Sequence, residues 1–191
     1  MIPYVPGDIK SDFYISEIES QIEHLDTNQV LITNLSSTIS SKNLIFIGDV
    51  HGSLKELKKL LKKIQYNSTN DHLIFVGDLV AKGPESLEVV RLVKELGKLY
   101  EFISSCPIVI DIPEQDIYVV HAGLLPDVPI DQQNPEDMMT MRSSLTPKTV
   151  IYGHDASRGL NIKEFTFGLD SRCVYGGELT ALKWNEGKSI H

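Results

Sequence analysis

One pattern occurs twice in this chain: a run of apolar residues stops at a glycine that is followed by an aspartate. In NLIFIGDVHG, residues 44–47 lead to Asp49, and in HLIFVGDLVAKG, residues 73–76 lead to Asp78. Short apolar runs bounded by turn residues are typical of buried strands, and glycine allows the backbone to turn sharply after them. The sequence therefore predicts two buried strands that both end in a carboxylate.

A helix is predicted after each of these strands, which indicates a βαβ core in an α/β fold. Ser53 and Glu56 have the spacing of a capping box, and Pro84 suits the first turn of the second helix. Five lysines between residues 55 and 63 fall outside the apolar stripe of the first helix, so we expect them to face solvent. The two predicted stripes contain Leu54, Leu57, Leu61 and Ile64 in the first helix and Leu87, Val90, Val93 and Leu96 in the second.

The remainder of the chain suggests strands and a short leader. Strand patterns occur at PIVIDI, DIYVV and TVIY, and the closing segment CVYGGELTALKW has a turn at Gly176 and Gly177. Residues 11–25 have apolar side chains at helical spacing. We predict an N-terminal leader, residues 1–42, that packs on the core, followed by one α/β domain, residues 43–191.

The composition argues against several classes of protein. A formal net charge of -8 and a pI near 5.2 disfavour nonspecific binding to nucleic acid or to an anionic membrane, because both depend on positive charge. We expect no membrane segment, since every apolar run is far shorter than the ~20 residues of a spanning helix, and no signal peptide. Cys106 and Cys173 match neither a disulfide framework nor a CxxC zinc pattern, so we expect two buried thiols.

Four predicted strand ends carry side chains that can bind metal ions. VVHAG and VIYGHD each place a histidine after a strand, in addition to the two Gly-Asp segments. Any one of these residues alone is more often structural. Together, carboxylates and imidazoles at the carboxyl ends of strands indicate a site for zinc, manganese, iron or cobalt. The candidate ligands are Asp49, His51, Asp78, His121 and His154.

These motifs also resemble a known family. GDVHG, GDLVAKG, VVHAGL and YGHDA occur in the order found in calcineurin-like metallophosphoesterases, in the phosphoprotein-phosphatase-like branch that includes the diadenosine tetraphosphatases. The phrases SSCPIVIDIP, HAGLLPDVPIDQQ, MRS and GLDSRCVYGGELTAL are most similar to the fungal zinc-dependent endopolyphosphatase. The resemblance extends from residue 43 to residue 184.

The resemblance implies a fold, a cofactor and a location. The fold would be two stacked mixed β-sheets flanked by helices, with two divalent metal ions at one end. Asp49 and His51 would hold the first ion, Asp78 would bridge both, and His121 and His154 would hold the second. Zinc is the favoured metal, with manganese or cobalt as alternatives, and a metal-bridging hydroxide would attack the phosphate. Similarity to the fungal enzyme implies a vacuolar location.

Two basic residues are candidates for substrate binding. Lys82, in GDLVAKG, stands where protein phosphatases of this branch carry an arginine, and Arg142, in MMTMRS, matches the position of the family's phosphate-binding arginine. A lysine is a point charge without the bidentate fork of arginine, which disfavours a phosphoprotein substrate and suits a phosphate chain. For both residues the alternative is a surface ion pair.

One family motif is missing. Members of the family carry Gly-Asn-His after the second helix, whose Asn completes the second metal site and whose His assists the leaving group. This sequence contains no Asn-His or Gly-Asn pair. Three explanations are open: the sequence joins segments that flank an omitted loop, the protein lacks the loop, or residues 98–105 supply an unusual ligand. We favour the first, because active-site loops are often variable and tolerate insertion.

The main hypothesis from the sequence is a metal-dependent hydrolase of phosphoanhydride bonds, an endopolyphosphatase that cleaves inorganic polyphosphate. The alternative enzymes are a dinucleoside polyphosphate hydrolase and a phosphoprotein phosphatase. A hypothesis of another class is an inactive protein that binds phosphate chains or one metal ion, which applies if the Gly-Asn-His loop is absent from the protein. A preference for nucleoside-capped chains in a hydrolysis assay would favour the first alternative.

Overall fold

The computed structural model describes five ranges of the chain, beginning at residue 32. The predicted helix at residues 11–25, the stretch 98–105 and Cys106 lie outside the described residues. The described residues are 32–34, 42–96, 107–142, 148–185 and 188–190.

Ten strands and three α-helices are formed by the described residues. The helices are α1 (Leu54–Lys63), α2 (Ser86–Leu96) and α3 (Pro135–Thr140). The strands in chain order are β1 (Ile32–Asn34), β2 (Asn43–Ile47), β3 (Asp71–Phe75), β4 (Val109–Ile112), β5 (Ile117–Val120), β6 (Thr149–Tyr152), β7 (Asn161–Ile162), β8 (Thr166–Gly168), β9 (Ala181–Asn185) and β10 (Lys188–Ile190).

The strands form two mixed sheets. The four-stranded sheet has the order β10-β9-β2-β3, in which β2 and β3 are parallel and β9 runs antiparallel to β2. The six-stranded sheet has the order β1-β4-β5-β6-β8-β7, in which β5 and β6 are parallel and β4 runs antiparallel to β5. This arrangement confirms the predicted α/β fold of two mixed sheets with helices.

The two sheets share an apolar core, and this explains the composition of β2. Leu44 and Phe46 of β2 belong to the cluster that also contains Ile117 of the six-stranded sheet. Ile45 and Ile47 belong to a second cluster with residues of α1 and α2. Because both faces of β2 are buried, the strand is apolar throughout instead of alternating between apolar and polar residues. On the outer face of the six-stranded sheet, α3 contributes to a third cluster.

Two details of the predicted helices are wrong. Ser53 is the N-cap residue of α1, but its side chain makes no capping hydrogen bond, so the capping box does not form; the hydroxyl contacts the Cys173 thiol instead. The second helix begins at Ser86, two residues later than predicted, and Leu87 in its first turn is exposed because Val89 is the residue buried against the sheet. The predicted exposure of the lysines of α1 and the burial of Cys173 are confirmed.

Four strands have no counterpart in the sequence prediction, namely β1, β7, β8 and β10. Each is two or three residues long, which is too short for a periodic pattern. Strand β1 lies within the predicted leader and pairs in parallel with β4. Of the helices in the described ranges, none combines the length and the apolar character that crossing a bilayer requires.

Candidate metal centre

All five predicted ligands lie among the described residues, each just after a strand. Asp49 and His51 follow β2, Asp78 follows β3, His121 follows β5 and His154 follows β6. The carboxyl ends of parallel neighbours meet at the same edge of a sheet. Since β2 and β3 are parallel neighbours, as are β5 and β6, each sheet brings its own ligands together.

Asp49, His51 and Asp78 form the tightest part of the group. Their ligand atoms all lie within 4.8 Å of one another. His51 Nε2 lies 3.1 Å from Asp78 Oδ2, and the side chains of Asp49 and His51 are buried. Two carboxylates and an imidazole at these distances could hold a metal ion.

The other two histidines reach this cluster from the six-stranded sheet. His121 Nε2 lies 3.9 Å from Asp78 Oδ1, whereas His51 approaches the opposite oxygen, Oδ2. The ring centroids of His121 and His154 are 5.0 Å apart. The backbone N–H of His154 donates a hydrogen bond of 2.9 Å to Asp49 Oδ2. Asp78 therefore faces ligands from both sheets.

Backbone carbonyls set the tautomer of two of the histidines. His51 Nδ1 lies 3.3 Å from the Val80 carbonyl oxygen, and His121 Nδ1 lies 3.2 Å from the Val76 carbonyl oxygen. A carbonyl only accepts hydrogen bonds, so Nδ1 carries the proton and Nε2 of the neutral ring presents its lone pair to the cluster. Burial lowers the pKa of His121 below its ordinary value, which favours this neutral form.

Asp49 provides the test of whether a cation fits. Its Oδ1 atom is buried and has no hydrogen-bond partner among the described residues. Burial, and next the negative charge of Asp170, raise the pKa of Asp49 from 3.8 to about 7. Lone pairs of Asp49, His51 and Asp78 therefore converge beside a buried carboxylate oxygen that has no partner among the described residues. This donor set fits a divalent cation, because a cation would supply the missing partner.

The backbone around the site is unusual. His51, Asp78, Lys82 and His154 have φ angles of 46°, 43°, 57° and 65°, in the left-handed region that non-glycine residues rarely adopt. Strained residues of this kind concentrate at functional sites. Space is also restricted: a Cβ atom at Gly153 would overlap Asp49 Oδ1. Glycine is therefore required beside the ligands, as well as at the turns that present them.

Lys82 lies directly beside the ligands. Its Nζ atom is 2.9 Å from His51 Nε2 and 3.9 Å from Asp78 Oδ2. The same ammonium lies 5.9 Å from the centroid of the Tyr175 ring. Nearly half of the Lys82 side chain is exposed, so the charge is accessible to an anionic ligand at the edge of the centre.

Arg142 lies on the side of His154. Its Nε atom is 3.5 Å from Oδ1 of Asp155, a buried carboxylate that directly follows His154 in the chain. Arg158 Nε lies 3.2 Å from Oδ2 of the same carboxylate. The ion pair considered for Arg142 from the sequence is therefore present, but its partner is buried, and more than half of the arginine side chain stays exposed.

Several residues near the site have no place in the sequence prediction: Asp155, Arg158, Asp170 and Tyr175. Both aspartates carry a signal that could have revealed them, because each follows a strand of the six-stranded sheet, β6 or β8, just as the predicted ligands follow theirs. Arg158 and Tyr175 carry no such signal, since only the folded chain brings them to Asp155 and Lys82.

The two mixed sheets and the candidate metal ligands at the strand ends are consistent with a metal-dependent phosphoesterase, and comparison with known proteins identifies the family. The family model of the calcineurin-like phosphoesterases matches residues 42–110. The crystal structure of a proposed diadenosine tetraphosphatase superposes with a TM-score of 0.74 at 32% identity, covering 84% of this chain and 96% of that one. The chain belongs to the calcineurin-like metallophosphoesterase family, in its phosphoprotein-phosphatase-like branch.

Curated relatives match about half of the chain. A symmetrical bis(5'-nucleosyl)-tetraphosphatase of Pectobacterium atrosepticum is 42% identical over 94 residues, which are 49% of this chain and 31% of the relative. The protein of that name from Coxiella burnetii is 43% identical over 88 residues, which are 45% of this chain and 27% of the relative. The matched region thus spans about a third of the length of these relatives.

A more distant structure shares the fold alone. The cold-active protein-tyrosine phosphatase of a psychrophilic Shewanella superposes with a TM-score of 0.60 at 14% identity, covering 83% of this chain and 78% of that one. None of these relatives supports the predicted similarity to a fungal endopolyphosphatase in particular, and that similarity stays a prediction.

Proposed function

We propose that this chain is a metal-dependent hydrolase of the phosphoanhydride bonds of dinucleoside polyphosphates. The proposal rests mainly on the convergence of Asp49, His51 and Asp78, whose ligand atoms lie within 4.8 Å of one another, and on the buried Asp49 Oδ1 atom, which has no partner among the described residues. The names of the relatives, symmetrical bis(5'-nucleosyl)-tetraphosphatase and diadenosine tetraphosphatase, support the substrate class. Hydrolysis would then add water across the central anhydride bond of diadenosine tetraphosphate and release two molecules of ADP.

Two divalent metal ions are part of this proposal. Asp49, His51 and Asp78 would hold one ion, and Asp78, His121 and His154 would hold the other. The nitrogen and oxygen donors suit zinc, manganese or cobalt. When bound, such ions act as Lewis acids that polarise phosphoryl oxygens and make hydroxide available near neutral pH.

The side chains around the ligands have separate tasks in this proposal. The Val80 and Val76 carbonyls keep the Nε2 lone pairs of His51 and His121 directed at the centre. Lys82 would bind a phosphoryl oxygen at one edge, and Arg142 would do so at the other, where the buried Asp155 carboxylate positions its guanidinium. Charge-assisted contacts of this kind hold a polyanion in one register over the ligands.

Inorganic polyphosphate is the second candidate substrate, and Lys82 is the observation that favours it. Its ammonium is a single point charge at the edge of the centre, and such a charge can bind successive phosphates of an uncapped chain without selecting one orientation. This candidate is the one that agrees with the vacuolar location inferred from the fungal resemblance.

A hydrolysis assay tests the proposal. Chelator-treated protein is supplied with Mn²⁺, Co²⁺ or Zn²⁺ and incubated separately with diadenosine tetraphosphate, inorganic polyphosphate and a phosphopeptide. We expect ADP from the first substrate, no reaction without metal, and no reaction of Asp78→Asn. Asp131→Asn, which changes an exposed aspartate of a short helix near α3, serves as the matched control and should retain full activity.

The outcomes separate the candidates. Cleavage of inorganic polyphosphate with diadenosine tetraphosphate left intact would replace the proposed substrate by the second candidate. Binding of metal and phosphate without hydrolysis of any of the three substrates would reject the enzyme and support the phosphate-binding protein considered from the sequence.

A further inference from the structure

Tyr175 has a position that none of the tasks described so far explains. Its ring centroid lies 5.9 Å from the Nζ atom of Lys82, which itself lies 2.9 Å from His51 Nε2. The residue is 60% exposed. An aromatic ring that contributes little to the core is thus placed beside the ammonium that borders the predicted metal ligands.

We propose that Tyr175 is the platform on which the base of a nucleotide substrate stacks, so that this edge of the centre selects nucleoside-capped phosphates over bare phosphate chains. The inference rests on the proposed function, because it assigns the substrate's nucleoside to the side of the centre where Lys82 binds its phosphates. It goes further in naming the residue that distinguishes the two candidate substrates.

The backbone holds this ring in a preformed loop. Tyr175 ends a short 3-10 helix, Cys173–Tyr175, and its backbone N–H donates to the Arg172 carbonyl at 2.9 Å. The Ser171 hydroxyl lies 2.6 Å from both the Glu178 carbonyl oxygen and the Thr180 hydroxyl, which closes the loop across its base. A loop tied in this way loses little conformational entropy when a ligand binds.

The loop is also open at the residue that follows Tyr175. Gly176, which follows Tyr175, has a φ of 85°, and nothing lies within 4 Å of the position that a Cβ atom would take there. The adjacent Gly177 differs, since a Cβ atom there would overlap the Ser171 carbonyl oxygen. The loop is therefore packed at Gly177, against Ser171, and open at Gly176, the residue next to Tyr175.

The chemistry of the pair Lys82 and Tyr175 fits a nucleotide better than a bare phosphate chain. An ammonium binds phosphate oxygens, whereas a phenol ring offers a face for stacking that phosphate cannot use. Every base has such a face, so the platform would accept different bases and discriminate between capped and uncapped chains instead. Val80, two residues before Lys82, is also exposed and adds apolar surface to this edge.

Equilibrium binding tests the inference without requiring turnover. Isothermal titration calorimetry in the presence of Mn²⁺ compares α,β-methylene ADP with methylenediphosphonate, which has the same bridged pair of phosphorus groups without the nucleoside. We expect the intact protein to bind the capped ligand about 5- to 150-fold more tightly, which is the effect of stacking one base on an aromatic residue. In Tyr175→Ala this ratio should fall toward one, and in Tyr175→Phe it should persist.

Phe165→Ala is the matched control. Phe165 is also an exposed aromatic residue, but it precedes β8, whose start pairs with the start of β6, so it lies at the opposite end of the sheet from His154. This variant should keep the ratio of the intact protein. Thermal unfolding of all variants would show whether each retains the fold.

The contradicting results are distinct from those that would reject the hydrolase. A ratio near one in the intact protein, or an equal loss of affinity for both ligands in Tyr175→Ala, would overturn the inference, since the latter would mean that the ring only supports Lys82. A ratio that depends on Tyr175 in a protein that hydrolyses nothing would support the platform and reject the proposed activity.

Discussion

The two sheets contribute differently to the candidate metal centre. The four-stranded sheet supplies Asp49, His51 and Asp78, whose ligand atoms lie within 4.8 Å of one another. His121 and His154 follow strands of the six-stranded sheet and approach the first group at two points: His121 Nε2 lies 3.9 Å from Asp78 Oδ1, and the His154 backbone N–H donates to Asp49 Oδ2. Both groups share Asp78, so the first adds a carboxylate and an imidazole to it, Asp49 and His51, whereas the second adds two imidazoles, His121 and His154.

This difference bears on the missing Gly-Asn-His motif. In the family resemblance, the Asn of that motif completes the second site, and residues 98–105, where it would lie, are outside the described residues. If no residue replaces the Asn, the second ion lacks a neutral ligand, and water can take that position at a cost in affinity. We therefore expect the first ion to bind more tightly than the second.

Asp78→Asn should have the largest effect, because Asp78 is the residue that both groups share. Loss of its charge removes an anionic ligand from both ions, and metal ions contribute several kcal/mol to such reactions, so we expect hydrolysis to fall roughly 1000-fold or more. Metal analysis should find both ions lost. Two equivalents still bound to this variant would contradict the shared role, and Asp131→Asn provides the control for a lost surface charge.

A pair of histidine variants should separate the two groups. His51→Ala should lower the affinity for the ion that binds more tightly. His121→Ala should lower the affinity for the other ion by at least about 10-fold and leave the first ion bound, since even the outer partners of metal ligands have effects of 10- to 100-fold. Titration of each chelator-treated variant with Mn²⁺, followed by calorimetry, measures both affinities. Identical binding curves for the two variants would mean that the centre has no unequal halves.

The pKa of Asp49 predicts how the first group responds to pH. Because its pKa is raised from 3.8 to about 7, the folded protein binds this proton more tightly than the unfolded chain does. The contribution of protonated Asp49 to the stability of the metal-free protein is therefore fully present below about pH 3.8 and is lost as the pH rises through about 7. Binding of metal requires the carboxylate, so affinity should rise by up to about tenfold per pH unit below pH 7 and then level off.

Asp49→Asn isolates this effect, since the amide resembles the protonated acid and does not titrate. As the pH rises from 5 to 8, the thermal midpoint of the metal-free native protein should therefore fall relative to that of this variant. A difference that is constant over this range would show that Asp49 does not have the raised pKa.

Lys82→Ala should have the smallest effect on the reaction. Its ammonium would contact a phosphate in the ground state and the transition state alike, so KM should rise about 10-fold with kcat nearly unchanged, in line with the worth of a hydrogen bond to a charged group. Steady-state kinetics measure the two constants, and Lys59→Ala on the exposed face of α1 is the control. A normal KM with a much reduced kcat would place Lys82 in the chemical step.

The placement of the candidate ligands could be predicted because each one lies just after a strand. Asp49 and Asp78 follow apolar runs that contribute to both core clusters, and the histidines of VVHAG and YGHDA follow strands in the same way. The fold class followed from the alternation of these strands with helices. The predicted capping box, which does not form, shows where a local pattern fails, because the Ser53 hydroxyl contacts Cys173, a residue far away in the chain.

The remaining features depend on contacts between distant segments. Nothing in GDLVAKG indicates that Lys82 lies against His51 Nε2 or that Tyr175 lies beside it. The buried Asp155 that pairs with Arg142 and Arg158 is likewise a product of the folded chain. Electrostatic partners of this type are determined by tertiary packing and leave no periodic pattern in the sequence.

One titration tests the central claim, that two unequal ligand groups form one hydrolytic centre. Chelator-treated protein is titrated with Mn²⁺ while bound metal and the hydrolysis of diadenosine tetraphosphate are measured in the same samples. We predict that no ADP forms in the absence of metal, that little forms during binding of the first equivalent, and that hydrolysis increases as the second, weaker equivalent binds. Hydrolysis that persists in chelator, or that is complete after one equivalent, would contradict the account.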